Sequence, residues 1–199
     1  YVKSCDWLGD RIATGCFDGK ARVYDPANYS ADPIEVAVAQ EKTAVKAVYF
    51  VEDNHHLVTA AENTVKLWDL RTRGTAKEIT IDGLNVLEYT HQHSLVAAHG
   101  KSVSLFDPKT LAQTGRIDTS DDIECASLSP DGRFLAAGSK IKAKEFTVDG
   151  TELEQHRGHH GPIFHVRYSP DGANIATGAE DGMVRVWPSH QVIQRFETA

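Results

Sequence analysis

The sequence predicts an all-β protein, a β-propeller segment of about five consecutive four-stranded blades. Three observations lead there. One order of features recurs along the chain at roughly 38 to 44 residues, the spacing of propeller repeats. Within each copy, short alternating apolar runs are separated by turn pairs such as Asp18-Gly19, Asp131-Gly132 and Asp181-Gly182, as in antiparallel hairpins. Few segments carry a helical apolar period; residues 39–48 can be forced into one, but the aligned copies make them loop and strand.

The copies fall near residues 1–40, 41–81, 82–119, 120–157 and 158–199. First strands read Val2 to Trp7, Ala44 to Phe50, Leu84 to Tyr89, Ile123 to Leu128 and Pro162 to Tyr168. Second strands are rich in small residues: Ile12 to Gly15, Leu57 to Ala60, Leu95 to Ala98, Leu135 to Gly138 and Ile175 to Gly178. Small side chains let a strand lie close to neighbouring blades, near the centre of a ring. Third strands put an aromatic at their third position (Tyr24, Trp68, Phe106, Phe146, Trp187), and the first three follow it with Asp. Fourth strands are poorer and suit a blade edge: Ile34 to Ala39, Ala76 to Thr80, Ala112 to Ile117, Leu153 to His156 and Val192 to Phe196. One such sheet cannot bury both faces, so neighbours must stack. Because the chain opens inside a strand at Tyr1, a larger ring is expected, with about two blades upstream.

Composition excludes several classes. A net charge of −7 argues against direct nucleic-acid binding, which needs clustered Lys and Arg. No run approaches the roughly 18 apolar residues of a membrane helix, so no membrane insertion is expected. Cys5, Cys16 and Cys125 are scattered, which suits buried thiols in a reducing cytoplasm or nucleus. Asn28-Tyr29-Ser30 fits a glycosylation sequon but reads as loop chemistry in such a compartment.

Residues 158–187 form the cleanest copy, from Gly158-His159 through Ser169-Pro170-Asp171-Gly172 and Asp181-Gly182 to Trp187. Gly-His near the start and Trp near the end of a unit of about 40 residues resembles a WD repeat, hence a WD40 β-propeller. The resemblance implies a hydrogen-bonded staple of His159, Thr177, Asp181 and Trp187, and buried imidazole and indole groups do need oxygen partners. The first copy keeps Thr14 and Asp18 but has Tyr24 for Trp. The second has Thr59 and Trp68, with Glu62 in place of Asp; the third and fourth lack the set. Repeat position explains these residues better than a catalytic His-Asp pair does.

Other candidates are read more simply. His55-His56, His91-x-His93 and His159-His160 resemble metal ligands, yet no third ligand stands at a supporting spacing, so neither metal nor cofactor is expected. There is no Gly-x-Ser-x-Gly elbow and no phosphate-cradling loop, so no enzyme is expected. A propeller hydrolase would need titratable side chains converging on a central channel, where Ala, Thr and Gly are anticipated. Ser129-Pro130-Asp131-Gly132 and its later twin resemble phosphorylation sites, and turn chemistry accounts for them. What remains is loop surface for proteins: Asp118 to Asp122 with Asp121 and Asp122, His160 to Pro162, Glu62-Asn63, and Cys16 to Lys20. Exposed His160 and Phe164 would suit a partner anchor, although packing of Phe164 between blades is slightly favoured.

Gly158 to Ile163, Val166 to Gly172, Thr64 to Asp69, Cys125 to Leu128 and the degenerate Lys144-Glu145-Phe146 together resemble the serine/threonine kinase receptor-associated protein (unr-interacting protein) family, along essentially the whole chain. This resemblance implies later blades of a seven-bladed, non-catalytic adaptor in the cytoplasm and nucleus. It further implies partners in survival-of-motor-neuron-dependent assembly of small nuclear ribonucleoproteins, hence mRNA processing and splicing, and among transforming-growth-factor-β receptor kinases and Smad proteins. Gly-His-x-Gly-Pro-Ile is also similar to the propeller subunit of the translation-initiation scaffold factor, the alternative family. Pro188, where WD repeats usually carry Asp, departs from the pattern.

Overall fold

The computed structural model describes the chain except residues 29, 52, 54, 91–93 and 198–199, with side chains as far as residue 194. The histidines at 91 and 93, and the middle residue of the sequon, lie outside the described residues. Alternation and tight turns give successive antiparallel sheets, each strand pairing with the next along the chain. The first sheet comprises β1 (Val2–Leu8), β2 (Arg11–Cys16), β3 (Lys20–Tyr24) and β4 (Ile34–Ala37). The second holds β5 (Val45–Phe50), β6 (His56–Ala61), β7 (Thr64–Asp69) and β8 (Gly74–Thr80). The third holds β9 (Leu84–Tyr89), β10 (Leu95–His99), β11 (Ser102–Phe106) and β12 (Gln113–Asp118). The fourth holds β13 (Cys125–Leu128), β14 (Phe134–Ser139), β15 (Lys142–Thr147) and β16 (Glu152–Arg157). The last has three strands, β17 (Ile163–Tyr168), β18 (Asn174–Ala179) and β19 (Val184–Pro188), followed by helix α1 (His190–Glu197).

The expected strand over Val192 to Phe196 is thus a helix. Its first turn is captured by the fourth and fifth blades. The Ser189 carbonyl accepts from Val192 and Ile193 N–H, and the Ser189 hydroxyl donates to the Gly172 carbonyl at 2.7 Å. The His190 N–H donates to Glu145 Oε2 at 2.7 Å, and Gln191 Nε2 donates to Asp131 Oδ2 at 3.0 Å. Alternation alone could not reveal these long-range acceptors, which satisfy donors that a helix start leaves open.

The chain forms two compact units, residues 1–87 with 107–112, and residues 88–106 with 113–199. In the first, Ala13, Val23, Val45, Phe50, Leu57 and Trp68 belong to one buried core. In the second, Leu95, Ile123, Leu135, Ile163 and Ile175 are fully enclosed. Blade contact follows one rule in both: β5 lies on β1 and β2, and β17 lies on β13 and β14. The first strand of a blade therefore rests on the first and second strands of the blade before it, and small residues of the second strand form its floor. A Cβ at Gly15 would stand 2.8 Å from Val45 Cγ1, and one at Gly138 would stand 2.9 Å from Ile163 Cγ2 and 2.6 Å from Cys125 Sγ. At Gly178, the corresponding position of the last blade, no atom lies within 4 Å.

Two substitutions of identical chemistry should therefore part company. Gly138→Ala overpacks a closed floor and is expected to destabilise by about 1–3 kcal/mol. Gly178→Ala meets open space and is expected to be neutral or to stabilise by up to about 1 kcal/mol. Urea unfolding of both variants checks this; equal losses would contradict it.

Candidate functional site

The last blade brings its four staple residues together. His159 follows Gly158 ahead of β17, Thr177 lies in β18, Asp181 opens the β18–β19 turn and Trp187 lies in β19. His159 Nδ1 stands 3.0 Å from Asp181 Oδ2, and Nε2 stands 2.8 Å from Thr177 Oγ1. The indole N–H of Trp187 donates to the same Thr177 oxygen at 2.9 Å. One proton arrangement satisfies all of them: Nδ1–H donates to the carboxylate, and the threonine hydroxyl donates to Nε2 while accepting from the indole. The N–H groups of His160 and Met183 also donate to Asp181, at 2.9 and 3.0 Å. Those backbone donors, with His159, hold the Asp181 carboxyl down at about 2. His159 and Thr177 are buried, so no substrate could lie between them; the chain of bonds joins one end of the blade to the other.

The weaker copies are placed as follows. Trp68 donates to Thr59 Oγ1 at 2.9 Å, keeping half of the set, while Glu62 occupies the hairpin tip with φ 50°. In the first blade Thr14, Asp18 and Tyr24 do not meet: Thr14 contacts Cys16, Asp18 pairs with Arg22 at 2.7 Å, and Tyr24 is exposed. In the fourth blade a buried lysine replaces the staple, with Lys144 Nζ 3.0 Å from both Asp121 and Glu152. Burial works against that ammonium, but the two carboxylates hold its pKa above the ordinary lysine value. Asp121, read as loop surface, is thereby tied to the blade, and the Lys144 contact lowers its pKa. Asp122, His160 and Phe164 are exposed, with about half of the Phe164 surface open.

A second constellation was missed in the sequence. Asp6, Tyr49, Ser127 and Arg167 share one register position in their first strands, opposite Ala13, Val58, Ala136 and Ala176. Glu88 is the penultimate residue of β9, as Tyr49, Ser127 and Arg167 are of their strands. Each reaches for a neighbour: the Phe50 N–H donates to Asp6 Oδ2 at 2.8 Å, and the Tyr49 hydroxyl donates to the Leu87 carbonyl at 3.2 Å. In the second unit Ser127 donates to Glu88 Oε1 at 3.2 Å, and Arg167 forms an ion pair with Oε2. Glu88 is only 6% exposed. Its burial outweighs the nearby guanidinium and pushes the carboxyl up to about 7. Burial likewise pushes the nearby Cys125 thiol up to about 12, leaving it unreactive. First strands thus bring titratable groups together where Ala, Thr and Gly were anticipated. The signal was present in the sequence as a polar residue just before the end of each first strand. Ser127 is buried and its oxygen is engaged by Glu88 and the Tyr168 N–H, so the pair is a bond between blades rather than a nucleophile and base.

The WD domain, G-beta repeat family matches residues 35–69, 109–142 and 150–188, together more than half of the chain. The chain belongs to the WD40 repeat family. As a WD40 protein its fold is the β-propeller class, a protein-interaction module. It is 33% identical over 94% of its length to the serine-threonine kinase receptor-associated protein of Gallus gallus, and 32% identical over 94% to that of Homo sapiens. It is 25% identical over 83% of its length to eukaryotic translation initiation factor 3 subunit I of Anopheles gambiae, covering 57% of that protein. The chain spans about half, 54%, of the receptor-associated relatives. Among the described residues no group of three His, Cys, Asp or Glu side chains is placed to hold a metal, and no helix is long and apolar enough to cross a membrane.

Two measurements test this site. Thr177→Val strands a buried imidazole nitrogen and an indole N–H, and is expected to destabilise by about 2–5 kcal/mol, whereas Thr14→Val should cost under about 1. Comparable losses would remove the staple's special standing. For Glu88, a folded pKa above the unfolded one means stability that is full below pH 4.5 and declines until about pH 7. The stability of Glu88→Gln relative to wild type should therefore rise between pH 5 and 7 by about 1.4 kcal/mol per pH unit. A pH-independent difference in denaturant melts contradicts it.

Proposed function

We propose that this WD40 chain is a non-catalytic scaffold that brings proteins together, working in the cytoplasm and nucleus. One observation carries the reading: the buried polar constellations at the staples and first strands are spent on holding blades, while His160, Phe164 and Asp122 remain on loops and edges open to partners. Rigid blades presenting variable loops suit recognition of other proteins. A net charge of −7 supports protein partners over direct nucleic-acid contact.

The relatives' name, receptor-associated, supports receptor kinases as one class of partner. With the family resemblance it favours a role in receptor and Smad signalling by transforming growth factor-β, and in survival-of-motor-neuron-dependent ribonucleoprotein assembly that feeds mRNA splicing. Affinity purification of the whole protein tests this. Ribonucleoprotein-assembly proteins or receptor–Smad components should be recovered. Recovery of translation-initiation subunits instead, in line with the weaker similarity to initiation factor 3 subunit I, would sink the proposal.

A further inference from the structure

Residues 88–90, 127–130 and 167–170 of the second unit enclose a cavity of about 130 Å³. Glu88 is its buried charge. Oε1 accepts from Ser127, while Oε2 takes no hydrogen bond and meets the Arg167 guanidinium as an ion pair. A buried carboxylate oxygen without a directed donor is an expensive arrangement unless a donor arrives. Several of the lining hydroxyls are already committed as donors, that of Tyr168 to Glu145. The hydroxyls of Thr90, Ser129 and Ser169 already give their hydrogens to the Ser94 carbonyl, Asp131 and Asp171. Toward an incoming group they offer lone pairs only.

The site therefore selects a hydrogen-bond donor carrying positive charge. Its volume suits a few waters or one cationic head group, and excludes a larger side-chain body. A guanidinium fits better than an ammonium because its planar fork meets a carboxylate and adjacent oxygens together. Arg167 supplies this imperfectly: its side chain is 52% exposed, so it can return to water at little cost. We propose that the Glu88 cavity receives the guanidinium of one arginine from a protein partner, which replaces Arg167 on the Glu88 carboxylate. This rests on the protein-scaffold reading above, and the acidic chain favours a basic partner segment.

Methylguanidinium is the probe, followed at pH 8 by the amide signals of Ser127 and Tyr168 in the full chain. Wild type should saturate in the millimolar range, Arg167→Ala at least tenfold more tightly, and Glu88→Gln at least tenfold more weakly. Tetramethylammonium at equal ionic strength should give no saturable shift. Binding should weaken as the pH falls from 8 to 5.5, because the ligand needs an ionised Glu88. Equal responses in all three proteins, or no saturable response in any, overturn the proposal and leave water as the occupant. Should Arg167→Ala fail to fold, recovery of its structure by millimolar methylguanidinium supports the site, and no recovery counts against it. The scaffold reading fails separately. A partner retained undiminished by Glu88→Gln removes the arginine contact but keeps the scaffold, whereas absence of any partner leaves the methylguanidinium response as evidence for the cavity.

Discussion

The closeness with which a first strand must approach the preceding blade governs this structure. A lone four-stranded sheet buries too little apolar surface to offset its conformational entropy, so each blade must seat a neighbour on a face. At Gly138 the approach leaves no room for a methyl group, because Ile163 and Cys125 already fill the space. The Ala, Gly and Thr runs of β2, β6, β10, β14 and β18 follow from that geometry. So do the polar residues at the ends of first strands, which lie where one blade's side chains come within reach of the next blade's backbone.

Polar stapling within a blade is variable by comparison. The last blade uses the full His159–Asp181, Thr177 and Trp187 chain, and the second keeps only Thr59 and Trp68. The third puts Ser102, Asp118 and Arg116 together, and the fourth spans its strands with Lys144 between Asp121 and Glu152. Each device satisfies buried or half-buried polar groups, the common physical requirement. Different residues meet it equally well, which is why degenerate repeats still form regular blades.

Repeat spacing, turn pairs and aromatic third strands were enough to read the blades from sequence, since each is a local consequence of strand pairing. The helix at His190–Glu197 went unread although Val192, Ile193 and Phe196 follow a helical spacing, because the aligned copies put a fourth strand there. Its acceptor Glu145 and its anchor Asp131 come from another blade, far along the chain. The staple was legible because its members recur at fixed offsets within one unit. The Glu88, Ser127 and Arg167 set was not, because it takes one residue from each of three blades, and no single repeat contains its chemistry.

Function follows from what this packing leaves over. Buried polar groups hold blades together, and the surface left for the proposed recognition is that of the loops and of the Glu88 cavity. Native-state hydrogen exchange tests the underlying constraint directly. The slowest amides should lie on β13, β14 and β17, where Ile163 closes over Gly138, and β19 should exchange far sooner. Equal protection of β19 and β14, or fast exchange along β13 and β17, would contradict inter-blade seating as the source of stability.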